Sequence, residues 1–161
     1  MPRGWSHTHH LSSLNFMISH IWNHLYSGEY ISSDNGKYHL VMEPSGDLAL
    51  YDSWLWIPSN RLWCSNSAGK GDGGPYTLEL NMTPTADRSL YVTDKSGKVV
   101  WDIGVKKVPK LHYVYMQDDG RVTVSDLFQT EFFYTIESTA APKEKCHGTF
   151  EETVLPYIRD A

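Results

Sequence analysis

The residue types able to do chemistry are plentiful in this chain, but few are spaced for it. His7, His9 and His10 lie in "SHTHH", and His20 and His24 are four apart. A tetrahedral zinc site needs a further Cys or carboxylate beside such a pair, and none follows, so no metal is expected. Ser and Asp are common, yet no stretch sets a nucleophile on a strained turn beside a base, and no G-x-S-x-G occurs. No enzyme and no cofactor are expected. The glycine-rich "AGKGDGG" (68–74) lacks the Walker spacing and a helix to follow it, and reads as a turn between sheets. What is left is a row: "YHLVMEPSGDLALYDS" (38–53) alternates apolar and polar side chains on both sides of a Pro-Ser-Gly-Asp turn.

That pattern recurs. In the first hairpin Leu40 and Met42 share a face with Leu48 and Leu50. In "YTLELNMTPTADRSLYVTDKSG" Leu78 and Leu80 match Leu90 and Val92, and in "HYVYMQDDGRVTVSDLF" Val114 and Met116 match Val122 and Val124. An aspartate follows each copy (Asp52, Asp94, Asp126), and then a turn and an aromatic: Trp63, Trp101, and the pair Phe132 and Phe133. Three small sheets cannot bury their inner faces singly, but can pool these aromatics around a common axis. That predicts an all-β threefold prism, with a β-trefoil as its rival.

Flanking segments differ. Leu14, Met17, Ile18, Ile21, Trp22 and Leu25 recur at helical spacing behind Ser12 or Ser13 and before Gly28, which predicts an amphipathic helix. From Glu137 the repeat is lost; "AAPK" reads as a linker and "FEETVLPYI" as an added edge strand. The expected organisation is therefore an N-terminal extension over 1–23, a repeat domain over 24–136 and a C-terminal extension over 137–161. Trp54 and Trp56, at alternate spacing after the first hairpin, fit an exposed platform for a sugar ring or partner, core burial, or a dimer contact.

The 161 residues carry a net charge of −5 with no basic block, which argues against nucleic acid and an anionic membrane surface. No apolar run is long enough for a signal peptide or a membrane span, so no membrane insertion is expected, and a cytoplasmic protein, or one released without a classical signal peptide, is the simplest reading. The sequon at Asn81 then has no consequence. Cys64 and Cys146 are the only cysteines and are expected to be free thiols.

Two stretches resemble the bulb-type (monocot mannose-binding) lectins: "SGEYISSDNGKYHLVMEPSGDLALYD", similar to their entry strand and first sugar-site hairpin, and "LWCSNSAGKGDGGPYTLEL", similar to their Trp-x-Ser-Asn-Thr-x-Gly segment. The resemblance covers roughly residues 24 to 136. It implies a type II β-prism of three antiparallel four-stranded sheets with pseudo-threefold symmetry, and up to three metal-free sugar sites with the motif Q-x-D-x-N-x-V-x-Y. Alternate residues project from one face, so such a row sets amides and a carboxylate against sugar hydroxyls, a small apolar group under the ring and a phenol at the far hydroxyl.

Carried over, the first row reads Glu43, Ser45, Asp47, Ala49 and Tyr51, which keeps only the terminal Tyr. The second reads Thr85, Asp87, Ser89, Tyr91 and Thr93, with Asn81 in place of the Gln and Tyr91 where the ring should lie. The third reads Gln117, Asp119, Arg121, Thr123 and Ser125 and keeps the first two polar anchors. The family disulfide is absent, since Gly46 and Tyr76 fall where its cysteines would be. The resemblance thus implies a lectin with degenerate sites for mannose-type glycans or glycoproteins, built on Gln117, Asp119, Arg121, Thr123, Glu43, Asp47, Tyr51 and Asp87. It also implies a route to homodimers through exchanged C-terminal strands. The alternative is a structural or protein-interaction prism that has lost sugar binding.

Overall fold

The computed structural model describes residues 10–12, 24–80, 88–104, 113–126, 128–137 and 146. Within them, strands β1 (His10–Ser12), β2 (His24–Tyr26), β3 (Tyr30–Ser32), β4 (His39–Met42), β5 (Leu48–Tyr51) and β6 (Arg61–Cys64) come first along the chain. They are followed by β7 (Thr77–Leu80), β8 (Leu90–Thr93), β9 (Val99–Asp102), β10 (Tyr113–Met116), β11 (Val122–Ser125) and β12 (Phe132–Ile136). They form three antiparallel four-stranded sheets, ordered β3-β4-β5-β6, β2-β7-β8-β9 and β1-β10-β11-β12. Separate sheets exclude the trefoil, which closes its repeats into one barrel.

The threefold repeat extends to single residues. Each hairpin keeps the expected register, with Leu40 opposite Leu50, Leu78 opposite Val92, and Val114 opposite Val124. All the inward positions named from the pattern meet in one core, and Trp63 and Trp101 cross there at 5.8 Å between ring centres while Phe133 packs from the third copy. Each last strand is also bulged at the same place, opposite the step from Leu50 to Tyr51, from Val92 to Thr93, or from Val124 to Ser125 in the strand before it. A bulge opposes two residues to one and flips the alternation beyond it.

The prism uses more of the chain than the expected 24–136. β1, in the expected N-terminal extension, pairs antiparallel with β10 and completes the third sheet. Leu25, the last position of the proposed helical stripe, lies in β2 opposite Leu78, so the helical period fails there, and residues 13–23, the rest of the stripe, lie outside the described residues, as does "FEETVLPYI". The free thiols are a further correction: Cys64 in β6 is disulfide-bonded to Cys146, with Cα atoms 5.9 Å apart. The bond ties the expected C-terminal extension to the first sheet.

Gly46 and Tyr76, the positions of the missing family cystine, are in contact by another means. Gly46 turns the first hairpin at φ +105, and a Cβ there would stand 2.9 Å from the Tyr76 ring and 3.1 Å from the Ser67 carbonyl oxygen. Gly120 turns the third hairpin beneath Tyr38 in the same manner. An aromatic from the neighbouring sheet seats on each turn, so Gly46→Ala should lose about 1 to 3 kcal/mol through strain and overpacking together. Urea denaturation checks this; an unchanged midpoint would mean that the contact is slack.

Candidate functional site

The three outward rows are built alike and then diverge through the loops that follow them. The first and third hairpins share one turn: Glu43 N–H donates to Asp47 O (2.9 Å) and Gln117 N–H to Arg121 O (2.9 Å), while the turn glycine donates back to Glu43 O or Gln117 O. After each row the repeated aspartate closes a loop through its own N–H: Asp52 onto Asn60 O, Asp94 onto Lys98 O, and Asp126 onto Glu131 O. The first loop is the longest, and it carries Trp54 and Trp56.

That length decides the fate of the first row. Residues 53–60, ending in a 3-10 turn over Pro58–Asn60, lie over the outward face, where Tyr30, Val41, Ala49, Tyr51 and Trp56 form a second apolar cluster. Trp56 is 3% exposed and stacks on Tyr51 at 6.0 Å between ring centres. Beneath it Glu43, Asp47 and Tyr51 are 1%, 0% and 0% exposed, so the expected solvent-facing row is an interior. A ligand cannot touch these three side chains in this conformation.

The buried row is a polar network. The Tyr51 hydroxyl is hydrogen-bonded to Glu43 Oε2. Asp47 Oδ1 accepts from the backbone N–H of Ser67 (2.8 Å) and Ala68 (3.1 Å), which pins the "CSNSAG" segment over the turn. Arg61, 2% exposed, holds Nη1 3.6 Å from Asp47 Oδ2 and 4.0 Å from Glu43 Oε1. Alternation would put Arg61 on the core face with Trp63; the β5–β6 bulge instead sets it opposite Tyr51.

One cation faces two carboxylates in this interior. Burial pushes Glu43 up to about 7, against the hydrogen bond from Tyr51 and the charge of Arg61, which pull it down. Burial, then the charge of Glu43, pushes the Tyr51 phenol above its usual range. A carboxyl raised from 4.5 to about 7 stabilises the fold below pH 4.5, and that contribution is lost as pH rises through 7. Glu43→Gln should therefore match the wild type at pH 4 and exceed its stability by roughly 3 kcal/mol at pH 8, at about 1.4 kcal/mol per unit. Equal differences at the two pH values, read by denaturant titration, would contradict this.

The third row is open at its turn. Asp119 and Arg121 side chains are 57% and 41% exposed and pair through Arg121 Nε and Asp119 Oδ2 at 2.8 Å. Burial opposes the charge of Asp119, but hydrogen bonds from the backbone N–H and side chain of Arg121 outweigh it and hold the carboxyl below its ordinary value. Gln117, half-buried, donates from Nε2 to Thr123 Oγ1 (2.7 Å) and Gln129 Oε1 (2.5 Å). Thr123 and Ser125 are buried. The short loop from Asp126 supplies Gln129, at φ 56, and leaves the carboxylate and guanidinium uncovered. Asn35 binds the adjacent turn, its N–H donating to Asp118 Oδ1 at 3.0 Å.

In the second row Thr85, Asp87 and the alternative Asn81 lie outside the described residues. Ser89 is 1% exposed and Thr93 8%. Tyr91 stands between Glu79 and Asp102 across the strands, and Arg88 pairs with Asp102 at 3.0 Å. His24, within the expected helix, is in β2 opposite Glu79. The "AGKGDGG" segment is the expected turn between sheets: Asp72 N–H donates to Asp94 Oδ2 at 2.7 Å. Among the described residues no group of three or more His, Cys, Asp or Glu could hold a metal ion.

Known structures share this architecture. The Marasmius oreades lectin superposes with a TM-score of 0.61 at 15% identity, over 86% of this chain and 99% of that one. A lectin of Allium sativum gives 0.53 at 26% identity, over 72% and 91%. In sequence, the Mannose-specific lectin 2 of Colocasia esculenta is 29% identical over 106 residues, 63% of this chain. The chain is similar to the monocot mannose-binding bulb lectins in fold and, more distantly, in sequence. A lectin of Polygonatum cyrtonema, solved with a monomannoside, has a TM-score of 0.55 at 21% identity, over 83% and 98%. This chain spans 35% of the length of the Colocasia protein, and no protein-family model matches it.

Proposed function

We propose that the chain is a metal-independent carbohydrate-binding protein, not an enzyme, that takes mannose-type glycans at the third row. The observation that carries this is the contrast between rows: Asp119 and Arg121 are exposed at a turn superimposable in hydrogen bonding on the closed first one. Gln117 and Thr123 lie behind them, joined to each other. A carboxylate, a guanidinium and an amide at one hairpin turn supply both acceptors and donors for neighbouring hydroxyls.

A glycan array tests the proposal. Wild type should bind mannose-type glycans with or without EDTA, and Gln117→Ala with Asp119→Ala should weaken any hit about thirtyfold, the cost of two or so hydrogen bonds. Binding to no glycan would overturn the proposal. It would favour the second reading, an interaction prism that has lost sugar recognition, which the closure of the first row supports. The Cys64–Cys146 bond favours an oxidising compartment over the cytoplasm. Free thiols in protein isolated from its source would overturn that placement.

A further inference from the structure

The loop that closes the first row carries on its outer side a feature that closure does not use. Trp56 turns in, but Trp54 is 50% exposed. It is held nonetheless: its ring lies 3.7 Å from the buried His39 ring and meets Tyr30 edge-on at 5.4 Å. The loop beneath it is cross-braced, with Asn60 Nδ2 donating to Ser53 Oγ (2.9 Å) and Leu55 O (2.8 Å), and Ser53 O bonded to His39 Nδ1 (3.0 Å). One side of the indole is thus held against Tyr30 and His39, which leaves its other side fixed in water.

The repeat supplies a second, independent observation. Asp94 spends its side chain on its own loop and the adjoining segment, accepting from Ser96, Lys98 and Asp72, and Asp126 does likewise with Thr130 and Glu131. Their counterpart Asp52, at the base of the Trp54 loop, makes no side-chain hydrogen bond or ion pair with the other described residues. Asn60 Oδ1, fixed by the two bonds its amide nitrogen makes, is also without a partner among them.

We infer that Trp54 is a stacking platform for a saccharide ring, with Asp52 and Asn60 Oδ1 accepting hydroxyls from the same or the next sugar, at a site separate from the third row. A pyranose combines a C–H face for the indole with hydroxyl donors for acceptors at its margin. A protein partner fits less well, because a stable interface needs roughly 800 Å² from each side, whereas only Trp54 and Leu55 are exposed large apolar residues on this loop. The ligand class rests on the carbohydrate reading above; the site does not depend on the third row.

Indole N–H resonances of the full chain, titrated with mannobiose, test the inference, the Trp54 signal being the one lost in Trp54→Phe. It should shift saturably in wild type and also in Gln117→Ala with Asp119→Ala. Read from the backbone amides of Asp52, Ser53 and Leu55, Trp54→Ala should weaken this site about tenfold, and Trp54→Phe much less. The variant spectra themselves report folding. A still Trp54 signal while third-row amides move would overturn this inference alone, and no movement anywhere would overturn both readings. A Trp54 shift on dilution without sugar would assign the platform to a second copy of the chain and overturn it as well.

Discussion

Arg61→Met is expected to cost about 3 to 5 kcal/mol at neutral pH. The substitution keeps the length of the side chain and removes the one cation among the described residues that faces both Glu43 and Asp47, in an interior where these groups are 1% and 0% exposed. Breaking a buried ion pair leaves the remaining charge without compensation, which is more costly than replacing the whole pair. Two further measurements identify the cause. The loss should shrink at acid pH, where Glu43 carries a proton, and adding Glu43→Gln should recover part of it. A pH-independent loss would place the effect in packing.

Trp56→Ala should cost about as much, roughly 3 to 5 kcal/mol, because it empties a large buried site and uncovers Tyr51 and Ala49 together. The same variant should lower Glu43 from about 7 towards the ordinary carboxylate value, since burial is its first cause and the cover would be gone. Third-row binding should be unchanged. Calorimetry for the stability, and a pH titration of the Glu43 side-chain carboxyl by NMR, would check the two parts. A large stability loss with Glu43 unmoved would mean that the loop stays closed without its indole.

Most of the prism was legible in the sequence because its signal is local. A period of two fixes which residues face inward, and Leu40, Leu48, Leu78, Leu90, Val114 and Val122 follow from it directly. Trp63, Trp101 and Phe133 could be found because each repeat has the same order of strand, aspartate, turn and aromatic. Leu25, the last position of the helical stripe, is a case where a spacing matches one period while a pairing partner dictates the other: Leu78 waits opposite Leu25 in an antiparallel ladder. Cys64 and Cys146 are 82 residues apart, and no local pattern could pair them.

The candidate site was legible only as a row. Alternation puts Glu43, Asp47 and Tyr51 on the outward face, and they are there, but whether that face is wet depends on a loop that alternation does not describe. The signal was present in "DSWLWIPSN": two tryptophans in a loop longer than its counterparts, followed by an arginine. Reading it required knowing that a bulge turns Arg61 away from the side of Trp63. Gln129 was missed for a similar reason, since its reach to Gln117 depends on a positive φ in the Asp126 loop.

The first row is closed and the third is exposed at its turn, where sugar binding is proposed. Backbone amide resonances titrated with mannobiose test it most directly. The account predicts saturable shifts at Gln117, Asp119, Arg121 and Thr123, and none at Glu43, Asp47 or Tyr51; shifts centred on the first row with the third unmoved would contradict it.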